Sequence, residues 1–344
     1  MVMADTDYWR DLTRFESHDY VGRWYRQRHA RSLSAGRTRE IISCFTQGRE
    51  YFFSAKQSAT AVKPLLLYYG VLALSRGLVL LLDSRKTEAS LKPSHGIEIV
   101  DWQGTLSRGL ENMLEVGFRT TNGTFSELAR ATRNKQQMSW WNLPSLAEGI
   151  FHANYATPSF LTDESIVTLD DLLSRDTRFL SLYRETTGRS DKSHLGEIVA
   201  TPTGLEIYIF ALGISKSDVE TRFGFPTGTV VQDRPSARRL SLPSWFVHLP
   251  GTDLNALKPL IPATQYIGGD GMFIFEDFPN GDRFSELLRT FLIAYVLGML
   301  VRYFPSKWMA LLRNEKGDTA QPLLLAAMTS VERDWAKLIS SALA

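Results

Sequence analysis

Cysteine is almost absent from this chain. Its 344 residues include one, Cys44. That excludes an intrachain disulfide framework and any cysteine metal cluster. Cys44 reads as a small residue on a helix, since a catalytic thiol needs an activating base beside it. Net charge is scarce too: 39 lysines and arginines face 37 acids, a formal +2. A nucleic-acid contact would therefore have to come from a local patch, not from the surface as a whole. Long apolar runs are few. Met1 to Asp11 lacks the basic-then-apolar layout of a signal peptide. Residues 64–82 approach the length of a membrane span but contain Ser75 and Arg76. A central arginine costs about 2.5–3.5 kcal/mol on insertion scales. Phe291 to Val301 is too short to span. Both stretches are expected to be buried core helices, and the chain is expected in the cytoplasm with no membrane partner.

Catalytic signatures are missing as well. There is no Gly-Lys-Ser/Thr, no Gly-x-Gly-x-x-Gly after a strand, no His-Glu-x-x-His, no Cys-x-x-Cys and no nucleophile elbow. The run Gly268-Gly-Asp-Gly271 precedes an expected strand and reads as a turn. Six histidines, at 18, 29, 95, 152, 194 and 248, include no pair at i, i+4. No metal and no cofactor are expected. The acidic pair Asp170-Asp171 suits the opening turn of a helix; Glu276-Asp277 is a second such pair.

What is present is mostly helical patterning. Asp5 or Thr6 is a candidate cap for a helix carrying Tyr8, Trp9, Leu12 and Phe15. Ser17 can cap a second with Tyr20, Val21, Trp24 and Tyr25. A longer helix begins near Arg37, with Gly48 as a weak point. Pro64 suits the first turn of the next, which is apolar almost all round and so belongs at the centre of a bundle. In the middle, Gly96–Trp102 and Met113–Thr120 read as short strands, Asn122-Gly123 as a turn and Phe125–Arg133 as a helix. Ser145–Phe151 and Leu169–Thr186 are predicted helices, and Ser217–Phe223 one or two helical turns. Glu197–Thr201, Leu205–Leu212, Gly228–Gln232, Trp245–Leu249 and Met272–Glu276 are predicted strands. Helix returns over Phe284–Tyr303, in a short segment capped by Ser306, and from Gln321 to Ala344. The expected fold is mainly α with a small β portion (α+β). Helices of 1–95 and 281–344 pack together, and a mixed α/β region, 96–280, lies between them.

Three stretches then stand out together. They are the aromatic-rich start, Tyr8-Trp9 to Phe15 with Trp24-Tyr25; Lys63-Pro-Leu-Leu-Leu-Tyr-Tyr-Gly70 running on to Leu74-Ser-Arg-Gly-Leu78; and Leu297-Gly-Met-Leu-Val-Arg-Tyr-Phe-Pro-Ser-Lys-Trp308. With Asn122-Gly-Thr-Phe-Ser-Glu-Leu128 they resemble the YaaC-like proteins of bacteria over most of the chain. The resemblance brings no catalytic residue with it. It implies a setting in bacterial gene clusters, mobile and defence-associated ones among them, and hence a protein partner encoded nearby.

Three groups of residues are candidates for chemistry. Arg23, Arg26, Arg28, Arg31, Arg37 and Arg39 fall in one stretch with no acid between them, interleaved with Trp24, Tyr25 and His29. Arginine forks bind phosphate and aromatic rings stack on bases, so RNA or DNA is a candidate partner. Arg234, Arg238 and Arg239 form a smaller patch. Arg76 and Arg302 each lie in an apolar helix, where a charge needs a carboxylate or helix-end carbonyls. With Tyr68, Tyr69 and Tyr303 they could instead line an anion pocket. Finally, Arg189-Ser-Asp-Lys-Ser-His194 matches the Arg-x4-His pattern of HEPN ribonucleases. There the histidine acts on the RNA 2′-hydroxyl and the arginine on the phosphate. The leading expectation is a non-catalytic interaction subunit of a multi-gene bacterial system, phage defence among its settings, that contacts nucleic acid. The alternatives are a metal-independent ribonuclease using Arg189 and His194, and a small-molecule or nucleotide sensor with a pocket around Arg76.

Overall fold

A computed structural model describes residues 8–156, 166–236, 242–268, 271–315 and 320–344. The expected caps Asp5 and Thr6, the pair Arg238 and Arg239, and Gly269-Asp270 lie outside the described residues. In chain order the elements begin with α1 (Tyr8–Thr13), α2 (His18–His29), α3 (Ala35–Gln57), α4 (Lys63–Leu82), β1 (Ile97–Val100), α5 (Trp102–Ser107), β2 (Gly117–Thr120) and α6 (Thr124–Ala131). Next come β3 (Lys135–Asn142), β4 (Ala147–Asn154), β5 (Val167–Thr168), α7 (Leu169–Leu173), α8 (Leu180–Thr187), β6 (Ser193–Thr201) and β7 (Gly204–Phe210). The chain closes with α9 (Lys216–Arg222), β8 (Val231–Asp233), β9 (Ser244–Pro250), α10 (Leu254–Leu257), β10 (Thr264–Gly268), β11 (Gly271–Phe275), α11 (Glu286–Tyr303), α12 (Pro305–Leu312) and α13 (Gln321–Leu343). The fold is α+β. Two compact units divide it: residues 1–132 with 159–170 and 287–344, and residues 133–158 with 171–286.

The first unit is built round α4. Pro64 sits in its opening turn, and Leu67, Tyr68, Val71, Leu74, Leu78 and Leu81 are buried. By length and composition α4 could cross a membrane, yet 67% of its apolar window is buried inside the protein. Neighbouring helices approach it at glycines. A Cβ on Gly48 of α3 would lie 2.5 Å from Leu74 Cγ, and one on Gly70 of α4 would lie 2.6 Å from Phe52 Cδ2. Gly48 is therefore the residue that lets α3 and α4 close on each other, not merely a weak point in a helix. On another side, a Cβ on Gly298 of α11 would lie 2.6 Å from Tyr68 Cβ. Lys63 pairs with Glu332 of α13 at 3.1 Å, and Trp308 Nε1 donates to the carbonyl of Thr60. Helix α11 is buried from Leu287 to Val301. A small sheet in the order β1-β2-β5 completes the unit. The strand expected over Met113–Thr120 is shorter, because Leu110–Glu115 winds as a 3-10 turn before β2.

The second unit is a sheet in the order β10-β11-β6-β7-β9-β8, with β3 joined in parallel to β6 and β4 paired to β3. One face carries the core: Ile198, Ile207, Ile209, Val247 and Ile274, with Val219 and Phe223 packed against them. Two expected helices are corrected here. Ser145–Phe151 is the end of the turn and the first part of β4 in the β3–β4 hairpin. Met138, Phe151 and Ala153 are buried at alternating positions, Trp140 stacks on Phe151 at 4.1 Å, and Ser145 N–H bonds to Asn142 Oδ1. The period is two, not 3.6. Leu169–Thr186 is two short helices. Between them the Ser174 carbonyl accepts from Lys192 N–H, and Asp176 Oδ1 accepts from Arg178 N–H. The first takes a carbonyl out of any helical ladder, and the second is a side-chain bond to backbone of the kind that competes with helix. Strand β8, Val231–Asp233, overlaps the expected Gly228–Gln232 only at Val231 and Gln232, and Pro305, not Ser306, opens α12.

The glycine seam can be tested. Gly70→Val forces a branched side chain into Phe52 and is expected to cost about 1–3 kcal/mol. Gly22→Ala, where an added Cβ meets nothing within 4 Å, is expected to gain about 0.5–1 kcal/mol from helix propensity. Urea midpoints of both variants against the parent measure the difference.

Candidate functional site

Ser17 caps α2, its Oγ accepting from Tyr20 N–H, and Ala30 ends the helix in the left-handed region at φ 50°. Val21 and Tyr25 are the buried residues of α2, Tyr20, Trp24 and His29 are half-buried, and the helix turns its arginines outward. Arg23, Arg26, Arg28, Arg31 and Arg39 are exposed, and among the described residues none of the five makes an ion pair. The Arg28 guanidinium lies 5.7 Å from the centre of the Trp24 ring. Trp24 itself is half-buried against Phe15, with ring centres 5.8 Å apart.

Arg37 does not belong to this face. It points inward and donates to the Tyr25 hydroxyl at 3.1 Å, the Ser84 carbonyl at 3.1 Å and the Lys86 carbonyl at 2.7 Å. His29 is also committed to structure. Its Nε2 donates to the Leu81 carbonyl at 2.8 Å, and its ring sits 4.3 Å from that of Tyr25. Together Arg37 and His29 bind the end of α2 and the start of α3 to the chain leaving α4. The sequence window of six arginines thus resolves into one anchor and five exposed cations without an ion pair among the described residues.

The second candidate group separates as well. Arg302 is not a buried charge. It is exposed on the last turn of α11, donates Nη1–H to the Tyr69 hydroxyl at 3.4 Å and lies 5.1 Å from the Tyr303 ring. Tyr68 is fully buried and bonds to His95 Nδ1 at 2.5 Å. Arg76 lies two turns beyond Tyr69 and is half-buried; among the described residues it makes neither ion pair nor hydrogen bond. Its charge opposes the effect of burial on Cys44, whose thiol burial pushes up to about 12. That is an inert thiol. Sequence spacing did not point to His95, because it reaches Tyr68 from a different segment.

In the second unit, Arg189 is exposed in the loop after α8, and His194 lies inside β6. His194 Nε2 is 3.2 Å from Glu276 Oε1, with both side chains mostly buried. Arg222 approaches the same carboxylate at 3.6 Å. Arg175, 3% exposed, donates to the Glu276 and Asp277 carbonyls and to Asp171 Oδ1. Lys192 bonds to the same Asp171 oxygen, and Arg283 to Asp277. Asp171, Glu276 and Asp277 are therefore all neutralised by neighbours. Arg234 meets Glu206 at 3.6 Å and lies over Phe246. Among the described residues no three His, Cys, Asp or Glu side chains converge on a metal position. A shallow cleft beside Trp140, Trp141 and Glu197 carries acids and no arginine.

An α+β chain with a helical unit, a sheet unit and an unpaired basic helix face is what these observations define. The family model for YaaC-like proteins matches residues 13–343, and the chain belongs to that family. No curated protein and no solved structure matches it.

Two variants test these assignments. Arg37→Gln removes donors from two backbone carbonyls and is expected to destabilise the protein by about 2 kcal/mol or more, whereas Arg26→Gln leaves the melting temperature unchanged. Burial alone would raise the Glu276 carboxyl. The His194 bond and the charges of Arg222 and Arg175 outweigh it and hold the carboxyl below its ordinary value. A depressed carboxylate stabilises the fold above its unfolded pKa, and that stability is lost as pH falls through the folded pKa. Glu276→Gln should therefore be less stable than the parent at neutral pH, with the gap narrowing below the ordinary glutamate range. Urea titrations across that range measure it.

Proposed function

We propose that this chain is a non-catalytic, cytoplasmic interaction subunit of a multi-gene bacterial system, phage defence among its settings, and that it contacts nucleic acid through Arg23, Arg26, Arg28, Arg31 and Arg39. One observation carries the nucleic-acid part of this reading. Five exposed arginines on two successive helices and the turn between them have no carboxylate partner among the described residues. Several arginines elsewhere on the chain find one: Arg49 with Glu16, Arg175 with Asp171, Arg222 with Asp218, Arg283 with Asp277. An unpaired guanidinium keeps its fork of donors for phosphate. Backbone phosphates fix register without reading sequence, so the interface suits sequence-tolerant binding. Arg28 over Trp24 adds a flat surface on which a base can stack.

The test is fluorescence anisotropy with labelled single-stranded RNA and DNA, titrated against salt. Five phosphate contacts on a single strand predict that log K falls with log salt at a slope of about −3.5. The combined Arg→Gln variant at positions 23, 26, 28, 31 and 39 should lose binding while keeping the parent melting temperature. No binding by the folded parent at low salt sinks the reading. RNA cleavage without magnesium that disappears in His194→Ala would put the ribonuclease in its place.

A further inference from the structure

We infer that Arg302, Tyr69, Tyr303 and His95 form a second anion site, confined to the helical unit, that takes a phosphate monoester carrying an aromatic ring, a mononucleotide being the chemistry that uses all four residues. The site is made of donors. Arg302 spends one Nη1 proton on the Tyr69 hydroxyl and meets no carboxylate among the described residues. Tyr69, having accepted that bond, retains its own hydroxyl hydrogen for a ligand.

His95 supplies the third donor, and its tautomer is fixed by burial. The Tyr68 hydroxyl is enclosed, and its bond to His95 Nδ1 is the one hydrogen bond it makes among the described residues. Its hydrogen must therefore go to Nδ1, since a buried donor left unsatisfied is costly. Nδ1 is then the acceptor and Nε2 carries the hydrogen. Burial first, and the Arg302 charge second, hold the imidazole below its ordinary pKa, so it is neutral at pH 7.

Packing holds these groups in place. Tyr68 is seated in the notch left by Gly298 and is ringed by Phe291, Tyr295 and His95. Tyr295 in turn donates to the Ile97 carbonyl at 3.1 Å, fixing the strand next to His95. Side chains on a helix lean toward its N-terminus. Arg302, one turn beyond Gly298 on α11, accordingly bonds to Tyr69, the neighbour of the Tyr68 that fills the Gly298 notch. The Tyr303 ring, 57% exposed and beside the guanidinium, is left open to stack. The nearest acid on β1, Glu98, is held by Arg119 at 3.0 Å. A phosphate would meet the guanidinium, the Tyr69 hydroxyl and the imidazole N–H; an adenine or guanine ring would cover Tyr303.

Isothermal titration of the full chain with AMP and with inorganic phosphate tests this. AMP should bind saturably, about tenfold more weakly to Arg302→Gln, a loss worth about 1.4 kcal/mol. Tyr303→Ala should weaken AMP and leave phosphate unchanged. The variant lacking the five α2 and α3 arginines should bind AMP as the parent does. His95→Gln unpairs Tyr68 and can unfold the protein, so His95 is followed by its Nε2–H proton resonance in the parent, which should shift on AMP addition. Absence of saturable binding, AMP affinity indifferent to Arg302→Gln, a still Nε2–H resonance, or AMP binding lost with the five arginines would each overturn the site. Equal loss of phosphate and AMP in Tyr303→Ala would overturn the nucleotide assignment.

Discussion

The close burial of α4 is the constraint on which the helical unit depends. A helix apolar on every side has no face to give to water, so neighbours must cover it all round. Helices α3, α6, α11 and α13 do so. Two of the approaches are too close for side chains, which is why glycine stands at Gly48, Gly70 and Gly298. Glycine in a helix interior costs about 0.5–1 kcal/mol of intrinsic preference. Packing gained at Leu74, Phe52 and Tyr68 offsets it, because interiors are dense enough for a single added carbon to be felt.

Both candidate sites take their positions from α4. At its C-terminal end, the carbonyl of Leu81 and those of Ser84 and Lys86 are held by His29 and Arg37. Those bonds set where α2 ends and α3 begins, and so where the exposed arginines stand. Nearer its start, Tyr68 and Tyr69 face in different directions. Tyr68 goes inward against Gly298 to orient His95, and Tyr69 goes outward to Arg302. Adjacent residues thus divide the work of building the cluster and presenting it.

Sequence periodicity makes the long helices legible. The pattern over 64–82 and the cap at Ser17 lead directly to α4 and α2, because apolar spacing and a capping oxygen are local properties. The β3–β4 hairpin was not legible. Its strand Lys135–Asn142 is largely polar and its turn, 143–146, contains a serine that resembles a helix cap; only tertiary pairing gives the alternation a face. The break between α7 and α8 is equally non-local, since the Ser174 carbonyl is claimed by Lys192 eighteen residues on. The same limit holds at the sites. The arginine run was visible as composition, but nothing local separates Arg37 from Arg39. The Tyr68–His95 bond joins residues 27 apart, and an apolar helix around Arg302 gave the false expectation of burial where the last turn is in fact solvated.

The two populations of arginine also differ in what their geometry can be for. In the sheet unit, Arg175 and Arg283 are mostly buried, and each closes on a carboxylate and on backbone carbonyls. Removing such a partner leaves a charge stranded, so these residues are tied to the fold. On α2 and α3 the balance is reversed. An exposed guanidinium is already solvated, contributes little to stability whether or not it is paired, and can be replaced without disturbing a core. Six arginines in a window without one acid are not needed to fold two helices, and only Arg37 is used for that. The other five make no ion pair among the described residues, and it is this surplus of exposed, unneutralised charge on which the proposed contact with a polyanion rests.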